Sequence, residues 1–129
     1  MVNLYIHERR ERDVAVLDLK GRIRINGGTL ALHRSIRCLV EEGKTKSLLN
    51  LAGVTHMDST GLGELISSYV TVSNKGGHIK LVHLTECLKD IMTITKLLTV
   101  FDVYDNEPDA LASFTGHVLS VVESQSAFM

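Results

Sequence analysis

The stretch of this chain with the most chemical potential is Val54-Thr55-His56-Met57-Asp58-Ser59-Thr60-Gly61-Leu62-Gly63. Asp58, Ser59 and Thr60 precede an apolar helical pattern, where their oxygens suit the amides that a helix leaves unpaired at its start. An aspartate there also complements the positive end of the helix dipole. A capped helix accounts for these three residues. It does not account for Gly61 and Gly63, because a glycine inside a helix costs about 1 kcal/mol relative to alanine. Two glycines in one first turn make sense where another backbone must come close, whether a neighbouring strand, a ligand or a partner protein.

Enzymatic readings of this stretch fail on spacing. A dinucleotide fingerprint, G-x-G-x-x-G, would have Ile66 at its third glycine. A hydrolase nucleophile elbow, G-x-S-x-G, would have Met57 at its first. The Gly-Lys-Ser/Thr of a phosphate-cradling loop is not present at this helix start. A phospho-aspartate receiver would place metal-binding acids after its first strand, where this chain has Lys20, Gly21 and Arg22. His56, three residues before Ser59, is the one base nearby, and a histidine near a strand end is expected simply to be exposed. What remains is a hydroxyl displayed at a helix N-terminus beside an aspartate, with no catalytic partners. That arrangement suits a phosphorylation switch, since a phosphate adds roughly −1.5 to −2 charges where a helix start tolerates them.

The surrounding elements must position that hydroxyl. Leu4 to Glu11 and Val14 to Lys20 read as two strands reversing at Arg12-Asp13, with Gly21 as the stop and Asn26-Gly27-Gly28 as a loop. Leu32, Ile36, Leu39 and Val40 recur at helical spacing up to Gly43. Lys46 to Ala52 is a strand-length apolar run. It is followed by a helix whose expected buried face is Leu62, Leu65, Ile66, Tyr69 and Val70, closed by Gly76-Gly77. His78 to Leu84 reads as a strand, Thr85 as the cap of a short helix carrying Leu88, Ile91 and Met92, and Val100 to Tyr104 as the last strand. A final helix starts at Asn106-Glu107-Pro108 and buries Leu111, Phe114, Val118, Val121 and Val122. The order is strand, strand, helix, then strand and helix three times. It predicts an α/β fold with a mixed sheet, an antiparallel N-terminal pair and about four helices. We expect a single domain over 1–129, its core about 4–122 and a frayed tail at 124–129.

Composition narrows the partners. With 129 residues, 44% hydrophobic, 5% aromatic and no Trp, the core must be aliphatic and stacking platforms for single-stranded nucleic acid are scarce. A net charge of −1 gives no general attraction to phosphate backbones or anionic lipid. The distribution is uneven: residues 1–46 carry ten Lys/Arg against six Asp/Glu, and residues 47–129 carry four against nine. No run of about 18 apolar residues occurs. The N-terminus turns polar too early for a signal peptide, so a cytoplasmic protein is expected. Cys38 and Cys87 lie in apolar periodic stretches and are expected to be small core residues. The six histidines show no metal-ligand spacing, so no metal and no cofactor is expected.

Met57-Asp58-Ser59-Thr60-Gly61-Leu62-Gly63 resembles the D-S-[ST]-G-L-G signature of the STAS family, specifically its bacterial anti-sigma factor antagonists. The element order over about residues 4–122 is similar as well. The resemblance implies that Ser59 is the phosphorylated serine, Asp58 the aspartate that positions it and Thr60 the adjacent hydroxyl, with Gly61, Leu62 and Gly63 completing the partner-binding segment. It implies a regulator, not an enzyme. When unphosphorylated, such a protein binds an anti-sigma factor that is also a serine kinase; phosphorylation releases it, and a PP2C-type phosphatase resets it. A monomer or weak dimer is expected. Where many members carry an acid in G-x-[LI]-D, this chain has Gly21-Arg22-Ile23-Arg24, so Arg22 and Arg24 make that edge basic and imply an acidic partner surface. The alternative within the family is an accessory subunit binding a small molecule or a transport partner.

Overall fold

The computed structural model describes residues 4–24 and 27–114. Two strands, β1 (Leu4–Glu11) and β2 (Val14–Ile23), form the expected hairpin. Then follow α1 (Thr29–Glu41), β3 (Lys46–Met57), α2 (Ser59–Asn74), β4 (His78–Val82), α3 (Glu86–Ile94), a 3-10 turn at Leu97–Thr99 and β5 (Asp102–Tyr104). The chain then enters a helix, α4, over 107–114. The sheet order is β1-β2-β3-β4-β5, antiparallel between β1 and β2 and parallel elsewhere. This is the mixed α/β architecture that the strand and helix alternation predicts. Val118, Val121, Val122 and the tail 124–129 lie outside the described residues.

Because alternate side chains of a strand point to opposite faces, the apolar runs of β2, β3 and β4 feed two cores. Ala15, Leu17, Leu19, Leu49, Leu51, Ile79 and Leu81 pack on one face with Leu32, Ile36 and Leu39 of α1, Leu62 and Leu65 of α2, and Leu88 and Met92 of α3. Val14, Val16, Leu48 and Val82 pack on the other with Ala110, Leu111 and Phe114 of α4.

Four local expectations are corrected. Gly21 does not stop β2: it adopts φ +122°, which only glycine takes up readily, and the β2–β3 register slips there while the strand continues to Ile23. β3 runs on to Met57, so Val54 to Met57 are strand and not loop. On α2 the buried positions are Leu62, Leu65, Ser68 and Val72. Ile66 and Val70 face out at 37% and 47% exposure, because the helix lies on the sheet along a narrower stripe than its apolar residues span. Cys38 and Cys87 are free and exposed, so neither is a core residue.

α4 is held by polar contacts as well as by its apolar face. Asn106 caps it, its Oδ1 accepting from the Asp109 amide at 2.9 Å. Arg9 on β1 donates through Nε to Asp18 at 2.7 Å and through Nη1 to Glu107 at 2.9 Å, with Nη2 also on Glu107. Lys80, only 7% exposed, donates to Ser113 Oγ at 2.9 Å and lies 4.8 Å from the Phe114 ring centroid.

Hydrogen bonds from Arg9 hold the carboxyls of both Asp18 and Glu107 below their ordinary ranges. For carboxyls depressed in the folded state, the stabilisation is complete above their unfolded pKa, about 4 to 4.5, and is lost as pH falls through the lower folded values. Arg9→Gln should therefore cost about 1 kcal/mol at neutral pH, the side chains being partly solvated, and should flatten the acid limb of the stability curve. Denaturant titrations from neutral to acid pH test this; superimposable curves for wild type and variant would show that the clamp contributes nothing.

Candidate functional site

The site is built where β2 ends against the start of α2. The Ile23 carbonyl accepts from the Asp58 amide at 3.4 Å. The same carbonyl presses on Gly61: a Cβ there would sit 2.1 Å from the Ile23 oxygen. Asp58 is the N-cap of α2, with extended backbone angles of −102° and −175°, and its Oδ1 accepts from the Gly61 amide at 2.9 Å. Its own carbonyl receives the first helical bond, from Leu62 N–H at 2.9 Å. Asp58 thus closes the helix start while its amide ties that start to the sheet.

Gly61 is explained by the neighbouring strand, one of the close approaches the sequence suggests. Gly63 is not: a Cβ on it would meet nothing within 4 Å. Ser59 and Thr60 are exposed, and Leu62 is buried beneath them. Along the outer face of α2, Ser59, Gly63, Ile66 and Val70 follow at helical spacing and form an exposed, largely apolar stripe headed by a hydroxyl. α1 is joined to α2 by His33 Nδ1, 3.3 Å from Glu64 Oε2, and presents Leu30 at 56% exposure.

Arg22 and Arg24 are both exposed on either side of buried Ile23. Arg22 pairs in register with His56, and Arg24 begins the turn toward α1. His56 is exposed as expected, its Nδ1 lying 3.0 Å from Thr55 Oγ1, while Thr55 in turn donates to the Gly21 carbonyl at 3.2 Å. Arg24, His56, Met57, Asp58 and Cys87 line an open cavity of about 350 Å³. The fold therefore gathers Asp58, Ser59, Thr60, Gly61, Gly63, Arg22 and Arg24 at one end of the sheet. Cys87 on α3 joins them, a contact that no local signal in the sequence could reveal.

Two chemical alternatives find no support in this geometry. Among the described residues no group of three or more His, Cys, Asp or Glu is placed to hold a metal ion. Gly43-Lys44-Thr45 matches the last three residues of a phosphate loop. It has Cys38 where the first glycine belongs, follows α1 instead of a strand, and commits Lys44 to Glu8 at 3.0 Å and Glu42 at 2.9 Å. No described helix is long and apolar enough to cross a membrane.

The family model described as STAS domain matches residues 5–110. The chain is 31% identical over 96 residues to an anti-sigma-B factor antagonist of Bacillus subtilis (strain 168), covering 74% of this chain and 85% of that one. An anti-sigma factor antagonist from Mycobacterium paratuberculosis has a similar structure, with TM-score 0.73 and 22% identity over 85% of this chain and 92% of the other. So has the Bacillus cell fate determinant SpoIIAA in its phosphorylated form, with TM-score 0.66 and 16% identity over 85% and 99%. At these identities the structural likeness is one of fold.

The two glycines of the first turn should respond oppositely to the same substitution. Gly61→Ala forces a methyl into the Ile23 carbonyl and should destabilise by about 2 kcal/mol, as overpacking does. Gly63→Ala meets open space and should stabilise by about 1 kcal/mol. Thermal or denaturant melts of both variants check this; equal effects would mean that the β2 contact does not constrain α2.

Proposed function

The chain belongs to the STAS domain family, and from that footing we propose that it is an anti-sigma factor antagonist switched by phosphorylation of Ser59. The observation that carries this reading is the exposed Ser59 hydroxyl, fixed at the head of the Gly63, Ile66 and Val70 stripe by the Asp58 cap. In the unmodified state the stripe and the Asp58 to Gly63 turn dock on an anti-sigma factor that is also a serine kinase, freeing its sigma factor. Gly63 supports close docking, since it costs helix stability although a Cβ on it would meet nothing in the chain. Arg22 and Arg24 add a basic edge that calls for an acidic surface on the partner.

The kinase transfers the γ-phosphoryl group of ATP to Ser59 Oγ; ADP leaves, and the hydroxyl proton passes to a base of the kinase. This chain is the substrate of that step and catalyses none. The product places a dianion and three bulky oxygens at the head of a close-contact surface, which expels the partner by charge and by size while the helix start tolerates the anion. A PP2C-type phosphatase then restores the hydroxyl by hydrolysis. The protein acts in the cytoplasm, as a monomer or weak dimer, and needs no cofactor. The phosphorylated form in which one structural neighbour was solved agrees with this chemistry.

The experiment is incubation with ATP and candidate anti-sigma kinases, read by intact mass. Wild type should gain a single phosphate and Ser59→Ala none. Labelling that persists in Ser59→Ala, or no labelling by any candidate, would overturn the assignment.

A further inference from the structure

The cavity of about 350 Å³ that Asp58 lines, one residue before Ser59, draws on four elements: Arg24 from the turn after β2, His56 and Met57 from the end of β3, Asp58 from the cap of α2, and Cys87 from the first turn of α3. Among the described residues that line it, the guanidinium of Arg24 is the one permanent cation. The Arg24 backbone is fixed on both sides, its amide donating to the Gly27 carbonyl at 3.1 Å and its carbonyl accepting from the Gly27 amide at 3.0 Å. The Ile23 carbonyl, one residue earlier, is tied to the Asp58 amide, so Arg24 and Ser59 each follow directly from a residue of that contact. The side chain of Arg24 is exposed, and its backbone lies one residue from the Ile23–Asp58 contact, as that of Ser59 does.

Asp58 is engaged with the helix through the Gly61 amide, so its negative charge stays at the cavity rim. An anion attached to Ser59 is repelled by Asp58 and attracted by Arg24, which lines the same cavity together with His56. Resting on the Ser59 switch proposed above, we infer that this cavity receives the phosphate of phosphorylated Ser59, with Arg24 donating to its oxygens as a two-pronged partner and His56 as a second donor. Phosphorylation then acts twice on the docking surface. It adds charge and bulk at Ser59, and it withdraws Arg24 from the basic edge offered to the partner. The switch is thereby built into this chain and does not depend wholly on repulsion by the partner.

Of the charged and titratable groups, Arg24, His56, Asp58 and Cys87 line the cavity, Arg22 pairs in register with His56, and Glu86 precedes Cys87 on α3, 3.8 Å from Lys89. Only the arginines and a protonated His56 favour the dianion. The test uses full-length protein with phosphoserine inserted at position 59 during translation, so that no kinase is needed, and follows its second ionisation by phosphorus NMR. In the Arg24→Gln variant that ionisation should move up by about half a pH unit or more relative to wild type, with Arg24→Lys in between. Identical titrations in wild type and Arg24→Gln would overturn the cradle. Arg24 is exposed, so the variant is expected to fold; His56→Gln gives an independent second reading, with a smaller upward shift expected and no shift counting against the donor role of His56. Failure here leaves the Ser59 switch standing, whereas failure of kinase labelling removes the switch itself.

Discussion

One backbone carbonyl, that of Ile23, sets the geometry on which the site depends. It takes the Asp58 amide and leaves room for nothing larger than hydrogen on Gly61. These two contacts fix both the height and the direction of the first turn of α2, and with them the place of Ser59. A bulkier residue at Gly61 would push the helix start off the sheet edge. A residue without a side-chain acceptor at position 58 would leave the Gly61 amide without its partner. Because Ile23 is itself fully buried in the main core, the Ser59 hydroxyl is referenced to that core while Ser59 stays exposed. A modification site needs that combination: a kinase must reach the oxygen, and the partner must find it in one position.

The opposite face of the sheet is organised differently. Among the described residues, α4 covers an apolar cluster of Val14, Val16, Leu48 and Val82 and is also tied by Arg9, Asp18, Glu107 and Lys80. These ionic contacts anchor the far side of the sheet, whereas the site on the α1–α2 side is anchored by backbone contacts. The proposed phosphorylation of Ser59 would therefore change charge where backbone contacts, not ion pairs, hold the frame. The basic bias of the first 46 residues is partly spent on that clamp through Arg9, and partly displayed beside Ser59 by Arg22 and Arg24.

Much of the fold was legible in the sequence because apolar spacing distinguishes strand from helix almost regardless of context. The hairpin, the alternation of strand and helix and the cap at Asp58 all follow from local signals. What was not legible depends on partners distant in sequence. Gly21 reads as a stop, yet inside a paired strand it becomes a bulge, because β3 continues alongside it. Ile66 and Val70 carry helical spacing that cannot say how wide a face the sheet will cover, and Cys38 and Cys87 were misplaced for the same reason. Arg9 and Glu107 are 98 residues apart, and nothing local foretells their pairing. Within the site, two glycines suggest close approach, but only the fold assigns Gly61 to β2 and leaves Gly63 facing outward.

The central claim is that the state of Ser59 decides whether the α2 surface is occupied. The most direct measurement is calorimetric titration of the anti-sigma partner with unmodified protein and with protein carrying phosphoserine at position 59, under one buffer and salt condition. The phosphate should weaken binding by about tenfold or more, equivalent to about 1.4 kcal/mol. Equal affinity of the two forms would contradict it.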